Sequence, residues 1–315
     1  MTDTLIITVN FRHAACTRQF LRSASRLAQF QVCHLAIVDN HSEDGSLLSI
    51  RQAISEFPNV ELLPSPENLG YFGAARWALA HYLESHDAPD WVVVCNNDIV
   101  FDDPQFLSRL LEKDPMATGV IAPSILSGLT GHDANPSIAR RPSPLRMWRY
   151  RWWLSNYYLT WFKQWLSPFV RRVRYRFSRR TASPGEALSR ATAVSIYAPH
   201  GSFLIFSRKF FEAGGFLDDG FFMYAEEFSV AEMCRRLGLP VVHDPGLRVR
   251  HQEGQTTGRR LTRPIHLLQK NGFQYAVARY LNSYPELASP RSAAKTPEAG
   301  DPRSLHISSA GETIR

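Results

Sequence analysis

The chain has 315 residues, 44% of them hydrophobic and 21% charged, a balance that supports a packed core and excludes an intrinsically disordered protein. Its four cysteines, Cys16, Cys33, Cys95 and Cys234, share no CxxC or zinc-type spacing, which excludes a disulfide framework and points to free thiols in a reducing compartment. The net charge of +7 is local: residues 140–180 hold 12 Lys or Arg and no acid, and setting those 12 charges aside leaves −5 for the rest, so nucleic acid is not an expected partner.

The opening MTDTLIITVNFRH has no basic leader before a short apolar run, so it reads as a first strand and not as a signal peptide. LIITVN (5–10) and LAIVDN (35–40) are β-rich runs that each end in polar side chains. Between them, Phe20, Leu21, Ala24, Leu27 and Ala28 recur at helical spacing, predicting a helix from Thr17 to Gln29. A helical 46–57, a strand VELLP (60–64), a helical 73–85 and the strand WVVVCNND (91–98) follow. This alternation predicts a parallel sheet with right-handed crossovers, whose ligands lie beyond the carboxyl ends of the strands. Asn10, Asp39-Asn40 and Asn96-Asn97-Asp98 all fall at that edge. Each cluster alone is ordinary turn or cap chemistry; three together at one edge point to a ligand.

TVNFR (8–12), VDNHSEDGS (38–46), NLGYFGAARWAL (68–79), NNDIVF (96–101) and GGFLDDGFFMYAEEFSVAEMCRRLG (214–238) resemble, in order, the motifs of family 2 glycosyltransferases. The resemblance covers roughly residues 4–255 and is strongest to bacterial rhamnosyltransferase-like enzymes of surface polysaccharide assembly. It implies an α/β GT-A fold, a nucleotide-diphosphate sugar donor carrying dTDP or UDP, a divalent metal ion (Mg or Mn), and inversion at the anomeric carbon. It implies residues 1–139 as the nucleotide-sugar binding half and 186–260 as the acceptor-binding, catalytic half.

Several residues take roles from this resemblance. Asp98 is the expected metal ligand, because a hard cation held by a carboxylate neutralises the diphosphate leaving group. Asn96 stands where the family carries a first Asp and is placed, with Asn97, near the ribose or the sugar. A lone His after a strand is more often a solvated or capping residue, but His251, in RVRHQEG, matches a further metal-directed histidine of the family and is read so on that resemblance; His243 is not assigned a role. Asp39 matches the carboxylate that binds the base or ribose, with the backbone of Thr8, Val9 and Asn10 on the other side. Asn68, Gly70 and Gly73 form a small-residue loop entering a helix, suited to close approach of a phosphate. Arg76 replaces a common family Asn, and Gly201, in HGS, matches the region beside the donor sugar. Glu227 falls on the position of the general base, one methylene longer than the usual Asp. Glu226 is the alternative base or an acceptor-binding partner, and plain dipole stabilisation would also place two acids at a helix start. Phe221 and Phe222 are read as core.

Residues 140–185 are read as a basic aromatic insert. The span 140–180 holds twelve aromatics, among them five of the seven tryptophans. Trp with Arg favours a bilayer interface, so an in-plane pair of membrane helices contacting anionic lipid is the leading reading. A helical subdomain covering the core, a transmembrane span and single-stranded nucleic-acid binding are the alternatives. The membrane reading suits a lipid-linked glycan acceptor and places the protein at the inner face of the cytoplasmic membrane, peripheral and cytoplasmic. Residues 261–284 are expected to form a C-terminal helix and 285–315 a disordered tail. The expected activity is inverting transfer of a sugar, with rhamnose the candidate, to a lipid-linked or polysaccharide hydroxyl. The alternative is a degenerate GT-A protein that binds nucleotide or membrane without transfer.

Overall fold

The computed structural model describes residues 3–166, 192–252 and 261–281. The expected tail at 285–315 and the part of the basic insert beyond residue 166 lie outside the described residues. One nine-stranded sheet runs in the order β3 (Val60–Pro64), β2 (His34–Asp39), β1 (Thr4–Asn10), β4 (Trp91–Asn96), β8 (Phe203–Ser207), β6 (Val120–Ser127), β9 (Val241–His251) and β5 (Ile99–Val100). β7 (Val194–Ile196) pairs with β9. The first four strands are mutually parallel, β8 is antiparallel to both β4 and β6, and β6 and β9 are parallel. Because β8 sits between β4 and β6, strands from the two sequence halves share a single sheet.

Near-continuous apolar runs form the central strands because both faces are covered. Side chains alternate between faces. Leu5, Ile7, Val92 and Val94 pack with α3 (Gly70–Leu83) in one core, while Ile6, Val93 and Cys95 pack with Phe20, Leu21 and Ala24 of α1 (Ala14–Ala24) in the other. α1 starts and ends earlier than its periodicity predicts. The chain leaves the helix after Ser25, and Gln29 takes a left-handed φ of 66° before the short 3-10 turn Phe30–Val32. α2 (Ser46–Ile54) stops short of Phe57, whereas α3 gains a turn at its start by beginning at Gly70.

Chain order places the crevice. β1, β2 and β3 run outward in one direction, and α3 then returns the chain to β4 on the other side of β1. The loops leaving β1 and β4 therefore diverge, which opens a crevice at the carboxyl edge. Asn10 pairs with Asp39 and Val9 with Asn96 in register, so the three polar clusters meet there.

After the short helix α4 (Phe106–Leu111), the insert folds as two helices, α5 (Pro144–Leu154) and α6 (157–166). Ser143 caps α5 by accepting from the Arg146 N–H at 3.3 Å. Met147 and Leu154 reach the core, and Tyr150 meets Phe273 edge-on at 4.8 Å between ring centres. Phe273 lies on the C-terminal helix Arg263–Arg279, whose His266 Nε2 is 3.2 Å from the Leu154 carbonyl. Tyr157 donates to the Leu261 carbonyl at 3.1 Å. The inner face of the helix pair thus covers the body of the protein, which is the covering alternative from the sequence. Its outer face leaves Trp148, Trp152, Tyr158, Trp161, Phe162 and Trp165 exposed. No helix among the described residues is long and apolar enough to cross a membrane; the transmembrane alternative reaches past residue 166, outside the described residues.

Candidate active site

A buried network secures the ends of β1, β2 and β4. Asn10 donates to Asp39 Oδ1 at 2.7 Å and accepts from Thr17 Oγ1 at 2.8 Å and Asn97 Nδ2 at 3.3 Å. Asn97 also donates to Thr17 Oγ1 at 3.0 Å, and Asp39 Oδ2 accepts from the Ser42 N–H at 3.2 Å. Satisfied and buried, the amides of Asn10 and Asn97 act on the fold by fixing the strand ends. Thr8 is fully buried, and neither it, Asn10 nor Asp39 lines the open crevice. Asn40 holds the adjacent loop: it donates to Asn68 Oδ1 at 2.9 Å and to the Gly70 carbonyl at 3.0 Å, and accepts from the Leu69 N–H at 2.9 Å.

Gly70 serves a close approach between chain segments. Its φ is +74°, and a Cβ there would stand 2.2 Å from the Phe222 carbonyl oxygen. The same oxygen accepts from the Tyr71 N–H at 2.9 Å, so the start of α3 is pinned to the segment that precedes Glu226. Gly73 packs against Leu69 and Asp219, and Arg76 pairs with Asp219 at 2.9 Å. Neither lines the crevice, which moves both away from the donor role expected for them.

The β5–β9 ladder delivers His251. Ile99 pairs with His251 in register, and the Gln252 N–H donates to the Asp98 carbonyl at 3.0 Å. His251 Nε2 then lies 3.0 Å from Asp98 Oδ1. That contact is too poorly aligned for a hydrogen bond, and the buried Oδ1 has no other donor. A buried carboxylate oxygen left without a donor, facing an imidazole nitrogen, fits a cation between them. No group of three or more His, Cys, Asp or Glu able to hold a metal occurs among the described residues. Asp98 and His251 would therefore supply two ligands to a divalent ion. His200 flanks this pair, with its ring centre 6.1 Å from that of His251 and Nδ1 2.9 Å from Ser202 Oγ.

Glu226 and Glu227 open the helix Glu226–Leu237. Tyr224 and Ala225 immediately before them both adopt φ of 72°, a left-handed pair of non-glycine residues that costs backbone energy and swings the helix start into the crevice. Gly272 permits this turn, because a Cβ there would stand 2.4 Å from the Tyr224 carbonyl oxygen. Burial, reinforced by the charge of Glu227, pushes the Glu226 carboxyl up to about 8, and its Oε1 has no hydrogen-bond partner. Burial also raises Glu227 above the usual carboxylate range. Two adjacent acids with raised pKa values, one close to neutrality, can hold and accept protons in the working range of an enzyme. The same helix is anchored by Glu232, fully buried, which accepts from Arg141, Tyr197 and Arg235 at 2.7 Å each.

These groups share one cleft of about 670 Å³. Of the sequence-selected residues, Val9, Asn68, Gly70, Asn96, Asn97, Asp98, Gly201, Glu226, Glu227 and His251 line it. Sequence reading placed Asn40 at the polar edge without giving it a role, and left out Tyr71, His200 and the wall that α5 and α6 contribute: Tyr150, Trp153, Thr160, Lys163 and Gln164. Asn40 and His200 sit beside chosen residues in quoted motifs and were within reach; the helix-pair wall carries no motif. Phe222 is exposed at the cleft, which corrects its reading as core, whereas Phe221 is fully buried. His243 sits elsewhere, with Nδ1 3.0 Å from the Ala122 carbonyl. A second groove, of about 610 Å³ beside Asp102, Asp103 and Arg109, is lined by charges that pair across its rim, Arg109 with Asp103 and Arg250 with Asp102.

Residues 5–215 match the family described as Glycosyl transferase family 2. The chain belongs to this family. The glycosyltransferase is 29% identical over 274 residues, 82% of its own length and 79% of the relative's, to the N-acetylglucosaminyl-diphospho-decaprenol L-rhamnosyltransferase of Mycobacterium tuberculosis, in strains CDC 1551 / Oshkosh and H37Rv. Its fold is GT-A. In keeping with this, it superposes on the crystal structure of GalNAc-T7 with UDP, GalNAc and Mn2+ with a TM-score of 0.57, at 13% identity, over 90% of this chain and 50% of that one. The matched family span ends before Glu226, so the acidic pair and His251 lie beyond it.

Proposed function

We propose that this glycosyltransferase moves L-rhamnose from a nucleoside-diphosphate donor to a hydroxyl of N-acetylglucosaminyl diphosphate carried on a polyprenol. Transfer inverts the anomeric carbon and takes place at the cytoplasmic face of a bacterial membrane during cell-surface glycan assembly. The carrying observation is that one cleft joins the Asp98–His251 pair to the Glu226–Glu227 pair. The choice of sugar and acceptor rests on the mycobacterial relatives.

In this reading the nucleotide lies along the carboxyl edge, against the backbone of Val9 and the amides of Asn68 and Asn96, with Asn40 holding the Asn68 loop and Asp39 holding that edge from beneath through Asn10 and Ser42. Asp98 and His251 would hold a divalent ion, Mg or Mn, which when bound offsets the charge of the diphosphate leaving group; GalNAc-T7 was solved with Mn2+. Glu227, facing Gly201 across the cleft, accepts the proton of the attacking hydroxyl. Glu226 stays protonated near neutrality and donates a hydrogen bond to a sugar oxygen, so that the pair carries one charge and not two. The exposed tryptophans of α5 and α6, with the basic residues of 140–180, rest on anionic lipid, bringing the cleft to its lipid-borne acceptor.

The test is transfer from a donor panel (dTDP-rhamnose, UDP-hexoses, GDP-mannose) to the diphospholipid acceptor, with product configuration read by NMR. Glu227→Gln is expected to lower kcat by roughly 100-fold or more while leaving donor affinity intact. Asp98→Ala is expected to remove the Mn2+ dependence of donor binding measured by calorimetry. Unchanged turnover in Glu227→Gln removes that residue as the base, and transfer with retained configuration overturns the inverting mechanism.

A further inference from the structure

We infer that Lys163, on α6, anchors the acceptor by binding the diphosphate that joins its sugar to its lipid. The inference rests on the acceptor class proposed above. Three acidic side chains, Asp98, Glu227 and the protonated Glu226, line the cleft, and an acceptor diphosphate would bring further negative charge among them. Such a ligand needs a cation to meet it, and Lys163 is the single Lys or Arg among the described lining residues.

Its position selects the acceptor over the donor. Lys163 Nζ stands 5.1 Å from the centre of the Tyr150 ring, a cation–π contact that aims the ammonium without neutralising it. Tyr150 and the general base Glu227 line the same cleft, and burial first, then the Glu227 charge, raises the Tyr150 phenol to about 12. The acceptor hydroxyl has to sit at Glu227, so what lies past Glu227 on this wall meets the remainder of the acceptor. The residues suited to the nucleotide, Asn68 and Asn96, line the strand-edge side. No carboxylate pairs with Lys163 among the described residues, and partial burial together with Arg149 lowers its pKa. The helix that carries Lys163 also displays Trp161, Phe162 and Trp165 outward, so the cation stands where a lipid headgroup would enter from a bilayer.

The experiment uses the full chain with two acceptors that present the same sugar hydroxyl: N-acetylglucosaminyl diphosphate on a short polyprenyl chain, and a neutral alkyl N-acetylglucosaminide. Lys163→Met keeps the apolar stem and removes the charge; Lys163→Arg restores it. The expected result for Lys163→Met is a KM for the diphosphate acceptor raised roughly tenfold or more, with kcat, donor KM and the KM of the neutral acceptor unchanged, and recovery in Lys163→Arg. A rise in donor KM instead assigns Lys163 to the donor diphosphate and overturns the inference. An equal rise for both acceptors marks a structural effect and overturns it too, as does no change. If the wild-type enzyme glycosylates the neutral acceptor but not the diphosphate one, the functional reading itself falls, and this inference with it.

Discussion

At the scale of single residues, the cleft depends on side chains that are missing as much as on those present. Gly70 carries two constraints at once, a left-handed φ and backbone packed where a Cβ would go. Either alone disfavours substitution, and the Phe222 carbonyl cannot swing aside as a flexible side chain would. Gly70→Ala is therefore expected to lower stability by about 2 to 4 kcal/mol, read by urea denaturation, and to raise the donor KM because the Asn68 loop moves. A change under about 0.5 kcal/mol would show that the two segments part without cost. NLGYFG signals from sequence that small residues matter here. The reason, contact with a segment some 150 positions later, is a property of the folded chain.

At the scale of elements, the helix pair α5–α6 serves two faces. The inner one buries Met147 and Leu154 and supplies Tyr150 to the cleft wall. The outer one exposes four tryptophans, Trp148, Trp152, Trp161 and Trp165, at 46 to 64%. Soluble surfaces seldom gather such rings without a partner. Replacing Trp152, Trp161 and Trp165 together by Ala should weaken binding to anionic liposomes by roughly a hundredfold or more in a flotation assay, at roughly 1 to 2 kcal/mol per ring, and leave the melting temperature within a few degrees. An intact protein that does not float removes the membrane reading. Composition alone marked this segment as special. That it also closes the active-site cleft follows from its docking on the C-terminal helix, to which periodicity is blind.

At the scale of the whole molecule, the acidic pair couples catalysis to stability. Glu226 has its folded-state pKa raised from 4.5 to about 8, so the folded chain keeps a proton that the unfolded chain releases. Stability attributable to this group accordingly falls as pH rises from about 4.5 to about 8 and is level beyond. Glu226→Gln should stabilise little at pH 5 and by on the order of 2 kcal/mol at pH 8, checked by thermal melts across that window. An equal effect at both pH values would mean that Glu226 is ionised throughout. Glu232 has the opposite sign: burial opposes its charge, but hydrogen bonds from Arg141, Tyr197 and Arg235 prevail and lower its pKa, so its contribution is lost on acidification. One fold thus holds a carboxylate ionised at one side of a helix and a carboxyl protonated at its start.

The amino-acid sequence by itself determined the strand and helix rhythm, the polar edge at Asn10, Asp39 and Asn96-Asn97-Asp98, and the acidic pair at Glu226 and Glu227. These are local patterns, set by side-chain alternation, turn chemistry and short motifs. Only the tertiary structure decided which of those residues face open space. Asn10 and Asn97 spend their amides on the fold, Arg76 turns to Asp219, and His251 reaches Asp98 through a strand pairing. Only it brought Tyr150 and Lys163 to the cleft. Pairing partners and facing directions depend on residues far apart along the chain, and no local window of sequence holds that information.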